Sequence, residues 1–330
     1  MKNNYLISTG GSGGHVIPAT ILHEHLSQEN DVIISTDKRG LKYLNKDIFT
    51  LEIINTPKLN NILFLPLTFL SILFLTFRSI LLLKRKKIKK LISTGGYMSL
   101  PLIFAAKIIR LDIYLIEPNQ VLGRANKFFL NSCKKIFCYS EKIKNFPEKF
   151  RYKITIIDPL IREEVYKLNL DTVPEGKLNL LIIGGSQGAD IFDNNLKKSI
   201  VNISKNTPIK IVQQTSEKNI SDLSEYYFKN KVECKIFSFE KNIDKIFNQT
   251  DICITRAGAS TLAELSFLNI PFIAVPLPSS KDNHQFENAN FYKKKDCCWI
   301  IEQKYFEEKI EEVLKDIFQK KMIMLIKKKI

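Results

Sequence analysis

The hexapeptide Leu-Ile-Ser-Thr-Gly-Gly occurs twice, at Leu6–Gly11 and Leu91–Gly96, and a third apolar run, Leu180–Ile183, ends in Gly184-Gly185. An apolar run closed by paired glycines reads as a buried strand whose carboxyl end lets backbone approach a neighbour or ligand closely. Helically spaced stretches lie between such runs, a pattern that predicts βαβ units and parallel sheets. Strands are expected at Tyr5–Ser8, Asp31–Thr36 and within "KKLISTGG", "LDIYLIEPN", "KKIFCYS" and "YKITIID". A polar stretch with Pro and Gly near Asp158–Lys177 interrupts the alternation. It then restarts with "LNLLIIGG", "IKIVQQT", "CKIFSF", "DICITRAG" and "PFIAVPLP". The fold expected is α/β, two tandem Rossmann-like domains over residues 1–160 and 161–330, which suits a chain of 330 residues. Ligands of such sheets bind beyond the carboxyl ends of the strands, where helices begin.

Charge and cysteine content narrow the chemistry. The net charge of +16 points to an anionic partner: nucleic acid, a phosphate-bearing substrate or an acidic membrane. No aromatic residues interleave with the densest lysine run, Lys84–Lys90, which argues against a nucleic-acid groove there. The six cysteines form no C-x-x-C pair, so neither a zinc site nor a disulfide framework is expected. No D-x-D motif is present, and no metal or other cofactor is expected. The amino terminus enters a strand without a signal-peptide pattern, so a cytoplasmic chain is expected.

The glycine loops differ in detail. Thr9–Ala19, "TGGSGGHVIPA", lacks the third glycine of a dinucleotide fingerprint, and no Gly-Lys-Ser/Thr follows it as in a P-loop. Backbone N–H groups of Ser12, Gly13 and Gly14 are candidates to cradle an anion; the alternative is a plain strand-to-helix turn. His15 follows directly. An unperturbed imidazole, with a pKa of about 6.5, suits a neutral base there, although structural or substrate-orienting roles fit the same position. Ser186 and Gln187 would aim donors at a phosphate. In "TRAGASTLAEL", Glu264 reads either as the carboxylate of a capping box with Ser260 or Thr261, or as an acceptor for a ribose diol.

Six stretches in order, "GGSGGHVIPA", "GGYMSLP", "EPNQVLGRANK", "GGSQGA", "RAGASTLAE" and "KDNHQFENA", resemble the signatures of the bacterial peptidoglycan N-acetylglucosaminyltransferases of the MurG family. The similarity covers nearly the whole chain. It implies the two-domain GT-B fold with a cleft between the domains. It also implies inverting transfer of GlcNAc from UDP-GlcNAc to the C4 hydroxyl of the muramyl sugar of lipid I, an undecaprenyl-pyrophosphoryl acceptor, giving lipid II. The donor would contact Arg162, Ser186, Gln187, the segment Ala259, Ser260, Thr261, Leu262, Ala263 and Glu264, and the pair His284 and Gln285. The acceptor diphosphate would meet Ser12–Gly14, with Tyr97, Asn119 and Asn126 facing the cleft. The base would be His15, with Glu117 the alternative. This chain departs from the signatures at Ile116 and Pro118, at Leu100, and at Asp190 and Asp193. Another UDP-sugar GT-B transferase or a UDP-GlcNAc epimerase fits the same motifs less fully. A non-enzymatic basic module that binds membrane surfaces accounts only for the charge.

Ile62–Phe77 is mostly apolar, is broken by Arg78, and is followed by "SILLLKRKKIKK". A crossing helix here would split one sheet between two compartments. Ile62–Lys90 is therefore expected to lie on an anionic membrane surface at the cytoplasmic face, a peripheral attachment. A buried core helix with a solvated basic end is the alternative.

Overall fold

The computed structural model describes residues 3–57, 65–168, 176–185, 190–240 and 242–329. The chain divides into two compact units, Met1–Ile161 and Arg162–Ile330.

In the first unit, β1 (Asn4–Ser8), α1 (Gly13–Ser27), β2 (Asp31–Thr36) and β3 (Leu51–Ile53) precede the long helix α2 (Leu65–Arg85). After it come β4 (Lys90–Ser93), α3 (Leu100–Ile108), β5 (Asp112–Glu117), α4 (Arg124–Phe129), β6 (Lys135–Cys138) and β7 (Ile154–Ile156). The strands form one parallel sheet in the order β3-β2-β1-β4-β5-β6-β7. Successive residues of β1 point to opposite faces, and both faces are covered. Leu6 packs with Leu83, Leu91, Leu102 and Phe129, while Ile7 packs with Val16, Ala19, Ile34 and Ile92. Burial on both sides is why β1 is apolar throughout rather than alternating.

The order of the sheet explains the repeated hexapeptide. β1 and β4 are adjacent in register, with Leu6 opposite Leu91, Ile7 opposite Ile92 and Ser8 opposite Ser93. The chain turns outward to β2 from one and to β5 from the other, so this is the point where the strand order reverses. Thr94 N–H donates to the Ser8 carbonyl at 3.1 Å, and the Thr94 hydroxyl donates to that of Thr9 at 2.8 Å. The two diglycine turns thus stand side by side.

The second unit repeats the scheme. It runs through α5 (Glu163–Tyr166), β8 (Leu178–Ile183), α6 (Asp190–Asn195), α7 (Lys197–Ser204), β9 (Ile209–Gln214), α8 (Ile220–Lys229), β10 (Glu233–Phe237), α9 (Ile243–Phe247) and β11 (Ile252–Thr255). It ends with α10 (Ala259–Phe267), β12 (Phe272–Ala274), α11 (His284–Lys293), β13 (Cys298–Ile300) and α12 (Phe306–Lys329). Its parallel sheet has the order β10-β9-β8-β11-β12-β13, so the reversal falls between β8, which leads to the third diglycine, and β11, which leads to Arg256. Ile310, Leu314 and Phe318 of α12 seal the same core as Leu180, Ile254 and Ile273.

Two strands were not legible in the sequence. β3 and β13 are three residues each and lie at the edges of their sheets, too short to show a period. The helix α2 is long and apolar enough to cross a membrane by length and composition, over Pro66–Arg85. Its connections exclude a crossing, because β3 before it and β4 after it belong to one sheet. The core-helix alternative fits poorly as well: Leu67, Phe69, Leu70, Leu73, Phe74, Phe77 and Leu81 are 50–62% exposed. Residues 62–64 of the expected surface segment lie outside the described residues.

Candidate active site

At the first reversal point, Gly10 (φ 150°) and Gly11 (φ 82°) turn the chain from β1 into α1. A Cβ on Gly10 would come within 2.7 Å of Asp37 Oδ1, so the turn tolerates no side chain. That carboxylate organises the turn: Oδ1 accepts the N–H groups of Gly11 (2.9 Å) and Gly40 (3.0 Å), and Oδ2 accepts Arg39 Nε (2.8 Å). Desolvation raises the Asp37 carboxyl, but those donors and the Arg39 charge outweigh it and hold it below its ordinary value. Ser12 is the residue before α1, and its N–H donates to the Gly10 carbonyl at 3.2 Å. Of the three expected anion donors, Gly13 and Gly14 therefore head the helix, while Ser12 N–H is used within the turn.

His15, in the first turn of α1, reaches across to the second diglycine. Its Nδ1 lies 2.8 Å from the Thr94 carbonyl. A carbonyl only accepts, so Nδ1 carries the proton and, in the neutral ring, Nε2 carries the lone pair. Gly95 (φ 92°) and Gly96 (φ 87°) leave room for the imidazole; a Cβ on Gly95 would stand 3.3 Å from His15 Cε1. Tyr97 follows that turn, and its hydroxyl accepts Arg39 Nη2 at 2.6 Å.

Glu117, the alternative base of the sequence reading, ends β5 within a set of hydrogen-bond donors. It is 2% exposed, and Oε1 accepts the Asn119 N–H (3.2 Å) and amide (3.0 Å). Oε2 accepts Gly123 N–H (2.8 Å) and Asn126 Nδ2 (3.0 Å). Asn126 also bonds the Ile116 carbonyl at 3.0 Å. The two asparagines expected to face substrate thus spend amide protons on this carboxylate, which shapes the loop from residue 117 to 126.

In the second unit, Ser186 and Gln187 lie outside the described residues. Helix α10 begins after Gly258, and no side chain caps it. Glu264 stands in its second turn, so the capping-box reading fails. The carboxylate instead takes a bidentate pair from Arg162, with Nε at 2.6 Å from Oε1 and Nη2 at 2.5 Å from Oε2. Desolvation lowers the Arg162 pKa, yet the bonds and charge of Glu264 raise it overall. Each carboxylate oxygen keeps a second lone pair, so the pair does not exhaust Glu264 as an acceptor. Leu262 and Ala263 are buried, which leaves Ala259, Ser260 and Thr261 at the open start of α10. Gln285 Oε1 accepts Leu277 N–H at 2.9 Å, so any sugar contact falls to Nε2, and His284 Nδ1 lies 2.9 Å from the Lys281 carbonyl. Arg256 is buried beyond β11. It donates to the Val275 carbonyl (3.1 Å) and Gln303 (2.7 Å), lies over Phe192, and burial lowers its pKa. Asp193, one of the departures, accepts Gln213, Thr215 and Asn219 and braces α6 against β9.

The sequence reading missed Asp37 and Arg39. They follow β2 in "STDKRG", a third carboxyl-end loop at the same edge, where no glycine pair drew attention. The cysteines are free; burial pushes Cys138 and Cys298 up to about 12, which makes them poor nucleophiles. Among the described residues, no cluster of three metal-ligating side chains occurs.

Comparison with known proteins agrees with this architecture. Residues 5–138 match the glycosyltransferase family 28 N-terminal domain, and residues 179–329 match the family 28 C-terminal domain. The crystal structure of Acinetobacter baumannii MurG superposes with a TM-score of 0.76 at 22% identity, covering 98% of this chain and 91% of that one. The two family 28 domains, each built on a parallel sheet with glycine turns at its reversal point, define a glycosyltransferase of the GT-B class.

A relative from Pelagibacter ubique is 50% identical over all of this chain and 93% of its own length. One from Rickettsia felis is 33% identical over 92% of this chain and 87% of its own. Both are named UDP-N-acetylglucosamine–N-acetylmuramyl-(pentapeptide) pyrophosphoryl-undecaprenol N-acetylglucosamine transferase. The chain belongs to that family, the MurG transferases.

Proposed function

We propose that the protein transfers GlcNAc from UDP-GlcNAc to the C4 hydroxyl of the muramyl sugar of lipid I, with inversion, forming lipid II for peptidoglycan. The observation that carries the reading is the full-length 50% identity to a transferase of that name. The site chemistry supports it. Inverting transfer needs a base at the acceptor hydroxyl and stabilisation of the departing UDP. His15 is the base in this reading: the Thr94 carbonyl holds the tautomer whose Nε2 accepts a proton. Glu117, buried beneath four donors, supports the acceptor loop. Gly13 and Gly14 meet the acceptor diphosphate. On the donor side, Glu264 receives the ribose hydroxyls while Arg162 holds it, Ser186 and Gln187 contact phosphate, and Gln285 contacts the sugar.

The membrane assignment rests on α2. Its exposed leucines and phenylalanines end in Lys84, Arg85, Lys86 and Lys87, with Lys89 and Lys90 beyond. An apolar stripe with a basic end suits an anionic bilayer surface, and lipid I is a membrane lipid. The protein acts, in this reading, as a peripheral enzyme at the cytoplasmic face of the inner membrane.

The test is UDP release from UDP-GlcNAc with and without a lipid I analogue. Release that requires the analogue, with a β1→4 product, is expected. Acceptor-independent conversion of UDP-GlcNAc would point to epimerase chemistry instead.

A further inference from the structure

The Arg39 side chain is 42% exposed, yet its guanidinium is held from three sides. Nε and Nη2 donate to Asp37 Oδ2 at 2.8 and 2.7 Å, and Nη2 also donates to the Tyr97 hydroxyl at 2.6 Å. Cζ lies 5.1 Å from the centre of the Tyr97 ring. A surface arginine keeps its rotamer freedom unless something fixes it, and fixing it costs conformational entropy. The contacts join the loops after three adjacent strands: Asp37 and Arg39 follow β2, Gly10-Gly11 follows β1 and Tyr97 lies beyond β4. The guanidinium rests on the bare face of Gly11, where an added Cβ would stand 3.5 Å from Nη2. It therefore borders the turn that opens α1. Asp37 places a carboxylate behind that turn, accepting the Gly11 N–H at 2.9 Å. Alone, this charge would repel an anion arriving at Gly13 and Gly14; Arg39 cancels it. Arg39 also has donors to spare, since Nη1 makes no hydrogen bond among the described residues. The Tyr97 hydroxyl accepts from Arg39, which leaves its own proton to donate.

We propose that Arg39 is an acceptor-recognition residue whose Nη1, together with the Tyr97 hydroxyl, binds a phosphate of the acceptor's diphosphate. The assignment rests on the reading of lipid I as acceptor, and it adds a residue that lies outside all six family-like stretches. The geometry selects phosphate over a carboxylate of the acceptor. Asp37 already occupies the Nε–Nη2 edge of the guanidinium, so no free edge remains for the two parallel bonds that a carboxylate prefers. One nitrogen beside one hydroxyl suits two oxygens of a tetrahedral phosphate. Asp37 acts through Arg39 as a positioning residue, since it sets the guanidinium and the Gly11 turn in one arrangement.

Steady-state GlcNAc transfer by the full chain to a soluble lipid I analogue with a short prenyl chain tests the assignment. Arg39→Gln should raise the acceptor KM by about tenfold or more, as loss of a hydrogen bond to a charged group does, while the KM for UDP-GlcNAc stays within roughly twofold. Farnesyl diphosphate shares only its prenyl diphosphate with the acceptor. It should compete with the acceptor, and its inhibition constant should rise in Arg39→Gln by the same factor as the acceptor KM. Arg39→Lys keeps a charge opposite Asp37 but not the planar fork, so it should retain the parent's melting temperature and still raise the acceptor KM severalfold. An acceptor KM indifferent to Arg39→Gln, or no competition by farnesyl diphosphate in the parent, would overturn the assignment. A rise in the KM for UDP-GlcNAc instead would place the donor's diphosphate there and overturn it too. A lowered melting temperature in both variants, with both KM values raised, would make Arg39 merely structural. Absence of transfer by the parent refutes the transferase reading itself, whereas transfer that ignores Arg39→Gln refutes the Arg39 assignment alone.

Discussion

The Arg162–Glu264 pair ties the segment entering the second unit to the helix after β11, and its disruption should be large and unequal. Both guanidinium–carboxylate bonds are short, at 2.6 and 2.5 Å, and the side chains are 28% and 2% exposed respectively. Arg162→Ala strands a carboxylate that water scarcely reaches, so the loss should approach that of a broken buried pair, about 3–5 kcal/mol. Glu264→Ala leaves a guanidinium that still reaches solvent, and about 2–3 kcal/mol is expected. In a unit of this size each kcal/mol moves the midpoint by about 2–4 °C, so Arg162→Ala should lower it by roughly 10 °C. The single tryptophan, Trp299 in β13, makes fluorescence a reporter of this unit. The double variant should lose less than the sum of the single losses, with a coupling of about 1.5–3 kcal/mol. Additivity to within about 0.5 kcal/mol would refute the pair as a coupled unit in solution.

Other expectations follow from the same geometry. His15→Ala should lower kcat by about 10²–10⁴-fold with little change in UDP affinity; His15→Gln should lose nearly as much, and near-normal turnover in that variant would make His15 a positioning group. Activity should survive EDTA, since no D-x-D pair exists; loss restored by Mg²⁺ or Mn²⁺ would contradict the metal-free reading. Binding to anionic vesicles should fall as salt rises, and neutralising Lys86, Lys87, Lys89 and Lys90 should detach the protein, at about 1 kcal/mol for each lysine near the surface. Turnover of a soluble acceptor analogue should persist in that variant. Asp37 has a depressed pKa in the folded state, so its contribution is present above the unfolded carboxyl value and lost as pH falls through the folded one. Asp37→Asn should therefore destabilise by about 1.5–3 kcal/mol at neutral pH, and urea midpoints should show the gap to the parent closing below about pH 4.

Much of this protein is written locally. Doubly buried parallel strands must be apolar along their length, and glycine is required where φ is positive or another group presses close. The hexapeptide at Leu6 and Leu91 therefore announces both strand and turn before any fold is known. The order of the six motifs likewise marks the family, because each motif is a contiguous stretch of sequence. Pairings across the chain were another matter. Glu264 meets an arginine 102 residues away, and no local pattern distinguishes that from a helix cap or a ribose acceptor. Glu117 reads in the sequence as the alternative base, and only the fold shows it buried beneath four donors. Asp37 and Arg39 gain their place only because β2 lies beside β1 in the sheet, which brings their loop over Gly10 and Gly11. The apolar run at α2 could be core, membrane span or surface. Only the sheet order, with β3 and β4 on one layer at either end of the helix, excludes the span, and only packing leaves its stripe uncovered. Backbone preference and hydrophobic pattern act over a few residues and so are legible in sequence. Which charges pair, and which apolar faces stay open, depends on neighbours that the completed sheet supplies.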